Sequence, residues 1–311
     1  MRRVEEAEKL FHEGYNCSQS VFAAFSDLYG IEKDTALKLS ASFGGGVGRM
    51  REVCGAVSGM SMVAGLETGS VKQMDDEGKK YNYEVVRKLA EEFRKLSGSI
   101  ICRELLGLED AAPQTATPEP RSKQYYNTRP CSQLVKDAAE IIERVLYAVT
   151  FESVTTTDQQ KEVSALAEEI WHEHYEPILG KAQVNYMVEK FQSEEAIREQ
   201  SEMDGYQYFL LKCLGGTCGY LAIKVEQDAL FLSKFYIAKK FRGRGFARQA
   251  MDYLEKLCRE KELTKLWLTV NRNNEDSIRI YESLGFKKAG TKLTEIGSGF
   301  VMDDYLMEKE L

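Results

Sequence analysis

The spacing of apolar residues divides the chain into a helical first half and a mixed second half. Before about residue 149, apolar side chains recur every three or four positions, which is typical of one face of a helix. From Thr150 onward, short apolar runs rich in β-branched and aromatic residues alternate with helical segments. This pattern predicts two domains, an all-α helical bundle over 1–149 and an α/β unit over 150–311.

Small residues and prolines distinguish two segments of the helical half. Val53–Leu66 is rich in Gly, Ala and Ser, which allow another backbone to approach closely, so we predict that it is the central buried helix. Ala111–Pro130 holds four of the five prolines and is predicted to be an extended loop within the same unit. The other predicted helices are Val4–His12, one capped by Asn16 that ends at Gly30, one capped by Asp34, Asp75–Leu96 and Cys131–Val149.

In the second half, turn and capping residues separate the predicted elements. A strand at Thr150–Val154 precedes a helix at Gln159–His172, capped by Asp158 and followed by a break at Tyr175–Ile178. Two further helices are predicted, Gln183–Phe191 and Ser193–Glu202, the second capped by Ser193. The strands predicted after them are Gln207–Leu211, Thr217–Val225, Leu230–Ile237, Leu266–Val270, Phe286–Leu293 and Phe300–Met307.

A glycine-rich turn joins the strand that ends at Ile237 to a helix that begins near Phe246. Arg242, Arg244 and Arg248 surround its two glycines. Outward N–H groups, the helix dipole and these charges make such a turn an anion site that suits a pyrophosphate. The turn lacks the third glycine of the dinucleotide fingerprint and the Gly-Lys-Ser/Thr end of a Walker loop.

The motif Arg-x-x-Gly-x-Ala at 242–247 resembles the acetyl-CoA loop of the GNAT superfamily of N-acetyltransferases. A second match, with Asn274, Ser277, Tyr281 and then Gly285-Phe286, is similar to the second cofactor motif of that family. The resemblance covers about residues 150–311 and implies a GNAT fold with a mixed, mostly antiparallel sheet.

The same resemblance implies the site residues of an acetyltransferase. Acetyl-CoA is the implied cosubstrate, Tyr281 the implied general acid for the CoA thiolate, and a small amine the expected acceptor. The implied acetyl-CoA contacts are Phe235, Tyr236, Ile237, Arg242, Gly243, Arg244, Gly245, Phe246, Ala247, Arg248 and Asn274. Candidates for the acceptor pocket are Trp171, Glu173, Tyr175 and Asp303, and the general base stays open among Glu173, His174 and Asp303.

Four cysteines of the helical half form a second candidate site. Cys17, Cys54 and Cys131 begin predicted helices, where the dipole and free N–H groups stabilise a thiolate. Together with Cys102 they resemble the C_GCAxxG_C_C family, which is described as redox-active, over nearly all of residues 1–148. We expect the four sulfurs to converge. Zinc, an iron–sulfur cluster, reversible disulfides and buried packing thiols all stay open, while Cys213 and Cys218 are expected to be ordinary strand residues.

Charge and composition restrict the partners and the compartment. The net charge is −7 with no basic half, so nucleic acid is not expected as a partner. No apolar run reaches membrane-spanning length, and the first residues contain no apolar segment typical of a signal peptide. Seven cysteines without such a signal suggest a reducing cytoplasm. The oligomeric state stays open.

The sequence therefore predicts an acetyl-CoA-dependent N-acetyltransferase for a small amine, fused to a redox-active or metal-binding cysteine domain. A redox partner protein would fit the cysteine domain. The alternative is an acyl-CoA-binding sensor without transfer activity, in which the cysteine domain is the redox output. Tyr281 favours the enzyme, because a sensor has no use for a general acid at that spacing.

Overall fold

A computed structural model describes residues 3–108 and 115–311, which form two compact units, Met1–Ala148 and Val149–Leu311. The first unit is helical. Its helices are α1 Arg3–His12, α2 Cys17–Ala23, α3 Lys33–Ser40, α4 Gly55–Thr68, α5 Asp76–Ser97, α6 Cys102–Leu105, α7 Lys123–Thr128 and α8 Cys131–Ile141, which continues as the π-helical turn Ile142–Leu146.

Helix α4 lies in the core of this unit and packs closely against α2. Its glycines allow the contact: a Cβ on Gly59 would lie 2.8 Å from the carbonyl oxygen of Ser18, and one on Gly55 would lie 2.9 Å from the carbonyl oxygen of Phe43 and 3.2 Å from the backbone nitrogen of Ser18. These distances leave no room for a methyl group. The glycines therefore fix the position of α2, which begins with Cys17.

Several boundaries in the first unit differ from the prediction. Helix α2 ends at Ala23 rather than Gly30, because Ser26 bonds back to the Ala23 carbonyl and opens a 3₁₀ turn. The proline-rich segment contains helix α7, which Ser122 caps, while 111–114 lie outside the described residues. The cap of α3 is Glu32 rather than Asp34, and it makes no side-chain hydrogen bond. Asn16 and Asp75 cap α2 and α5 as predicted.

The second unit is a seven-stranded sheet flanked by helices, with strand order β1-β2-β3-β4-β5-β7-β6. Only β4 and β5 pair in parallel, so the sheet is mixed and mostly antiparallel, as predicted. The strands are β1 Thr150–Ser153, β2 Gln207–Cys213, β3 Gly216–Glu226, β4 Ala229–Ile237, β5 Lys265–Asn271, β6 Lys287–Gly297 and β7 Phe300–Glu310. The helices are α9 Thr157–Leu179, α10 Lys181–Phe191, α11 Glu194–Met203, α12 Phe246–Glu260 and α13 Glu275–Ser283.

Strands β4 and β5 separate halfway along their length. Their pairing ends at Leu232 and Leu268. At the same point β4 carries a bulge, since Leu232 pairs with Ile223 and Lys234 with Ala222, leaving Ser233 without a partner in β3. A bulge bends its strand and increases the local twist. The rest of β4, Ser233–Ile237, therefore has no strand paired along its β5 side.

Helix α9 is longer than predicted and includes the expected break. It runs through Pro177 to Leu179, and its cap is Thr156, in a capping box with Gln159, rather than Asp158. Pro177 lies in the last turn and has no N–H to donate to the carbonyl of Glu173, one turn earlier. Tyr175 stacks on Trp171 one turn earlier, which holds this end of the helix in place. Ser193 caps α11 as predicted.

Candidate functional site

The separation of β4 and β5 opens a cleft of about 1020 Å³ in the second unit. Ser233–Ile237 of β4 form one wall, and Thr269–Asn271 of β5 form the other. Phe235, Tyr236 and Ile237, three of the predicted acetyl-CoA contacts, line it. Because this stretch of β4 lacks a neighbour on its β5 side, an extended ligand with amide groups can pair with it as an added strand.

The predicted anion loop lies next to the cleft, at the start of α12. Gly243 and Gly245 both have φ of 81°, a left-handed conformation that favours glycine. Gly245 is the N-cap of α12, and Gly243, Gly245 and Arg248 are exposed. Arg242 and Ala247 line the cleft, whereas Arg244 and Phe246 are buried. The loop thus presents a helix N-terminus with glycine backbone and cationic side chains.

Glu173 lies beside this loop rather than in the cleft wall. Its carboxylate accepts a hydrogen bond of 2.8 Å from Arg242 and lies 3.4 Å from the amine of Lys239. Arg242 also donates to the carbonyl of Ile237 at 3.0 Å. Glu173 therefore orients Arg242 at the edge of the cleft.

Trp171 and Tyr175 line the cleft and belong to a buried aromatic cluster. Their rings stack with centroids 4.4 Å apart, and Tyr175 meets Tyr236 edge-on at 6.1 Å. The Tyr236 hydroxyl hydrogen-bonds to that of Tyr175, and burial raises the pKa of Tyr175 to about 12. Tyr175 and Tyr236, which are both predicted site residues, are thus linked by a hydrogen bond between their hydroxyl groups.

Asn274 holds this network together from behind the cleft wall. It is buried, caps α13 by accepting from the Ser277 N–H, and donates to the Tyr175 hydroxyl at 3.4 Å. It does not line the cleft. The structure therefore gives Asn274 contacts that position Tyr175 and α13.

Tyr281 lies on α13 with its side chain in the cleft. Its ring packs edge-on against Phe286 at 5.7 Å. Burial, followed by the nearby Tyr175, raises the pKa of Tyr281 well above its ordinary value. The hydroxyl therefore keeps its proton near neutral pH and can donate it.

His174 is a second cleft residue with a shifted pKa. Burial and the positive charge of Arg242 lower the pKa of His174, against a hydrogen bond with Asn274 that raises it. The imidazole is therefore largely neutral at pH 7 and can accept a proton.

The aspartate in the cleft is Asp304, next to the predicted Asp303. Asp303 pairs with Arg272 at 2.8 Å and does not line the cleft. Asp304 lines the cleft with 8% of its surface exposed, and its Oδ1 has no hydrogen-bond partner within the described residues. Burial and then Asp303 raise the pKa of Asp304 to about 6. An unpartnered buried carboxylate oxygen is well suited to an ammonium group.

Lys234 is a cleft residue within the predicted strand Leu230–Ile237, and it is not among the predicted site residues. It is 6% exposed, and its amine donates to Gln200 at 2.6 Å. Burial lowers the pKa of Lys234 to about 7. Its position directly after the bulge at Ser233 turns it into the cleft.

In the first unit, Cys17, Cys54, Cys102 and Cys131 all line one cavity of about 270 Å³. Cys17, Cys102 and Cys131 are the first residues of α2, α6 and α8, and Cys54 is the N-cap of α4. Cys102 therefore also begins a helix, which the sequence did not indicate. All four thiols are free.

The four cysteines form two pairs of different character. The thiols of Cys17 and Cys131 hydrogen-bond to each other. This bond and then burial raise the pKa of Cys17 well above its ordinary value, whereas the same bond and nearby arginines lower the pKa of Cys131 to about 7. Cys54 and Cys102 flank the bridge between Val53 and Ile101, and burial raises the pKa of Cys54 to about 12.

The cavity is rich in positive charge. Four arginines line it, with Glu119 as the carboxylate among them: Arg49, Arg51, Arg121 and Arg129. Glu119 lies 2.6 Å from Arg129, 3.5 Å from Arg49 and 3.6 Å from Arg51. Among the described lining residues, one carboxylate faces four guanidinium groups, so this part of the cavity wall is cationic.

A metal site does not fit these residues. Across 3–108 and 115–311, no group of three or more His, Cys, Asp or Glu side chains is arranged to hold a metal ion. Within these ranges the four thiols are therefore not arranged as the ligands of a zinc or iron–sulfur site. Cys213 and Cys218 hydrogen-bond to each other in the second unit.

In the described part of the chain, no helix is long and apolar enough to cross a membrane.

Comparisons with known proteins match the two units separately. Residues 165–286 match the "Acetyltransferase (GNAT) family", and residues 15–145 match the family described as "Putative redox-active protein (C_GCAxxG_C_C)". An uncharacterised N-acetyltransferase from the pepI 3′ region of Lactobacillus delbrueckii subsp. lactis is 26% identical over 132 residues, 40% of this chain and 76% of the relative. One of Mycobacterium tuberculosis is 31% identical over 31% of this chain and 62% of its own length, which is less than two thirds.

Solved acetyltransferase structures also align with this chain. The PaiA N-acetyltransferase of Thermoplasma acidophilum, in complex with coenzyme A, is 18% identical over 53% of this chain and 99% of that chain, with a TM-score of 0.44. The ribosomal-protein-S18-alanine N-acetyltransferase of Escherichia coli is 21% identical over 52% of this chain and 94% of that chain, with a TM-score of 0.39. Along its length the chain is thus similar to two families, the C_GCAxxG_C_C family over residues 15–145 and the GNAT acetyltransferases over residues 165–286.

Proposed function

We propose that residues 149–311 form an N-acetyltransferase that passes an acetyl group directly from acetyl-CoA to a small amine. The observation that carries this proposal is the cleft between β4 and β5, which opens beside a glycine turn at the N-terminus of α12. Ser233–Ile237 would pair with the pantetheine amides, and Gly243–Arg248 would hold the pyrophosphate.

The reaction requires an oxyanion site and a proton donor. The amine lone pair attacks the thioester carbonyl carbon, and the negative charge that develops on oxygen is stabilised by a backbone N–H of Phe235–Ile237. Collapse of this intermediate breaks the carbon–sulfur bond. Tyr281, which keeps its proton near neutral pH, gives it to the departing thiolate.

The acceptor is a small amine that is cationic in solution, and its ammonium group pairs with Asp304. The support is the buried Oδ1 of Asp304, which lacks a partner in the described residues and lies in the cleft wall. Trp171 and Tyr175 offer apolar surface to the rest of the acceptor. Asp304 and the neutral His174 are both placed to take the proton that the amine must lose, directly or through water.

For the first unit we propose thiol redox chemistry at Cys17, Cys54, Cys102 and Cys131. The four thiols share one cavity, and two of them are in hydrogen-bond contact. Free thiols in this arrangement suit a reducing compartment such as the cytoplasm, where a redox partner protein can restore them.

Calorimetry with coenzyme A tests the cofactor site. Gly245→Val should weaken CoA binding at least 10-fold, because the β-branched side chain disfavours a φ of 81° and projects toward the pyrophosphate. Gly299→Val is the matched control: Gly299 has φ of 78° and open space around it, so it carries the same backbone cost away from the loop. Equal affinity in both variants would contradict the proposed phosphate site.

Acetyl transfer itself is tested by chromatographic measurement of CoA released from acetyl-CoA with a panel of amines. We expect release above the hydrolysis rate with cationic amines. Tight CoA binding without release to any amine would instead support the acyl-CoA sensor. Activity only on acidic peptides would overturn the small-amine assignment.

A further inference from the structure

We propose that the cavity of the first unit reduces small anionic disulfides, with Cys131 as the attacking thiolate and Cys17 as the thiol that closes the internal disulfide. This inference rests on the redox role proposed above for that unit. It is carried by three features on the cavity wall: a contacting pair of thiols, an excess of arginines and a strained loop that places two of them.

Cys17 and Cys131 are the pair able to form an internal disulfide. They begin α2 and α8, which pack against each other, and their thiols already hydrogen-bond. Cys131 lies at the N-terminus of α8, where N–H groups and the dipole stabilise a thiolate. Closing the bond therefore requires little movement of the two helices.

The surroundings make Cys131 the attacking sulfur. The Cys17 S–H donates to it, and Arg129, Arg121 and Arg51 add positive charge, which together bring its pKa to about 7. Cys17 keeps its proton until Cys131 has reacted. The other groups facing the pair are Cys54, Cys102, Glu119 and Tyr125.

The arginines select an anionic ligand. Arg121 lies between the rings of Phe11 and Tyr125, with centroid distances of 4.5 and 4.6 Å, and donates through Nη2 to the Tyr15 carbonyl at 3.0 Å. Its Nη1 is buried without a hydrogen-bond partner in the described residues. An unpaired buried donor on a cavity wall indicates a ligand acceptor atom, such as a carboxylate oxygen.

The backbone that carries Arg49 and Arg51 is strained. Residues 45–49 all have left-handed φ, between 55° and 72°, and Arg51 has φ of 64°. Val47, Arg49 and Arg51 adopt a conformation that residues with a Cβ avoid, and such strain concentrates at functional sites. A Cβ on Gly46 would lie 2.7 Å from that of Cys102, so the loop also packs directly against one of the four cysteines.

The volume of the cavity, about 270 Å³, suits a small molecule. Cys131 thiolate attacks one sulfur of R–S–S–R, and one R–S⁻ leaves with a proton from solvent. Cys17 then loses its proton and attacks the Cys131 sulfur, releasing the second R–S⁻. Two electrons pass from the two cysteines to the substrate, leaving two R–SH and a Cys17–Cys131 disulfide.

Three symmetrical disulfides of similar size test the charge selection: 3,3′-dithiodipropionate (anionic), 2-hydroxyethyl disulfide (neutral) and cystamine (cationic). The full chain is mixed with each, and the rate of disulfide formation is followed by intact mass after alkylation of free thiols. Each rate is divided by the rate of the same disulfide with 2-mercaptoethanol. We expect the anionic disulfide to react at least 10-fold faster than the neutral one, and the cationic one slowest.

Variants test which residues cause the faster reaction with the anionic disulfide. Arg129→Gln should reduce the preference for the anionic disulfide, whereas Arg144→Gln, which changes an exposed arginine paired with Glu92, should keep it. Cys17→Ser should accumulate a mixed disulfide on Cys131. Peptide mapping of the parent should show a Cys17–Cys131 bond.

The outcomes distinguish failure of this inference from failure of the redox role on which it rests. Equal normalised rates for the three disulfides, or a bond between Cys54 and Cys102 instead, would overturn this inference while leaving a redox role. No disulfide with any of the three reagents would overturn the redox role itself. Because the parent chain alone gives the charge comparison, the test holds even if a cysteine variant fails to fold.

Discussion

At the scale of single residues, burial decides which side chains of the cleft carry a proton. Tyr281 keeps its proton because its phenolate would be desolvated, and His174 is largely neutral for the same reason. Asp304 titrates near pH 6. Tyr281 can therefore donate a proton in the cleft, while His174 and Asp304 can accept one near neutral pH.

Tyr281→Phe should lower turnover about 100-fold while CoA affinity stays within about 2-fold, because the hydroxyl acts only as the thiolate departs. Steady-state kinetics and calorimetry measure the two quantities. Tyr253→Phe is the control, since Tyr253 stacks on Phe151 outside the cleft lining. A Tyr281→Phe enzyme as fast as the parent, under conditions where chemistry limits the rate, would remove Tyr281 from the mechanism.

Asp304→Asn should weaken binding of a cationic amine about 10- to 100-fold, as a hydrogen bond to a charged group contributes about 1.5–3 kcal/mol. The parent should bind the amine more tightly as pH rises through about 6, because the carboxylate then ionises. The variant should lack this dependence. Calorimetry of the CoA complex from about pH 5 to 7 gives both results.

Asp303→Asn is the matched control for this prediction, since its carboxylate faces Arg272 and not the cleft. It should bind the amine like the parent. In the parent, the free energy of unfolding depends on pH in the opposite sense to amine binding. The pKa of Asp304 in the folded protein lies above the unfolded value of about 3.9, so the stability that the protonated Asp304 contributes is lost as pH rises through about 6. Equal amine affinity in the two variants would exclude Asp304 from the acceptor site.

Residue types and spacings indicated the two motifs, but not which neighbouring side chain faces the cleft. Alternation along β7 places Asp303 and Asp304 on opposite faces, and the sequence does not fix which of them points inward. The position of Lys234 in the cleft could not be predicted from alternation along β4, because the bulge at Ser233 shifts that alternation by one residue. Both features depend on pairing with distant strands.

At the scale of elements, α4 contains one glycine in close contact with another helix, Gly59, and one with open space around it, Gly65. Gly59→Ala should destabilise the first unit by about 1–3 kcal/mol, because the methyl group would meet the Ser18 backbone of α2 at 2.8 Å. Gly65→Ala, in the same helix with open space around it, should stabilise the unit by about 0.5–1 kcal/mol. Hydrogen exchange of amides in the first unit measures both changes.

The prediction requires that Gly59→Ala and Gly65→Ala change the stability of the first unit in opposite directions. If Gly59→Ala also stabilised the unit, α2 would not lie as close to α4 as described, and the position of Cys17 would be in question. The small-residue content of Val53–Leu66 predicted a close helix contact. The partner helix could not be predicted, because α3 and irregular segments lie between α2 and α4 in the chain.

Element boundaries depended on contacts that a local pattern does not contain. Pro177 and its neighbours predicted a break, yet the stack of Tyr175 on Trp171 keeps α9 helical to Leu179. The cap at Thr156 was readable, since Thr-x-x-Gln at 156–159 has the spacing of a capping box. Local chemistry thus predicted most caps and strands, while tertiary packing determined where α2 and α9 end.

At the scale of the whole molecule, each unit has its own core and its own cavity, so ligands for the two sites can be tested separately in the full chain. The cleft is lined by residues 170–304 and the cysteine cavity by residues 16–134. We expect coenzyme A to stabilise the unit that contains the cleft. A ligand at 100 times its dissociation constant adds about 2.7 kcal/mol to the stability of the fold that binds it.

Hydrogen exchange of the full chain with and without coenzyme A tests this expectation. In Val149–Leu311, amides that exchange only through unfolding should slow about 100-fold at that ligand concentration. The strongest local protection should fall on Ser233–Ile237 and Gly243–Arg248, which the ligand would cover. Amides in 3–108 and 115–148 should be unchanged, because coenzyme A has no contact there. Equal slowing in both ranges would show that the two units unfold together, and slowing confined to the cysteine unit would contradict the assignment of the cleft.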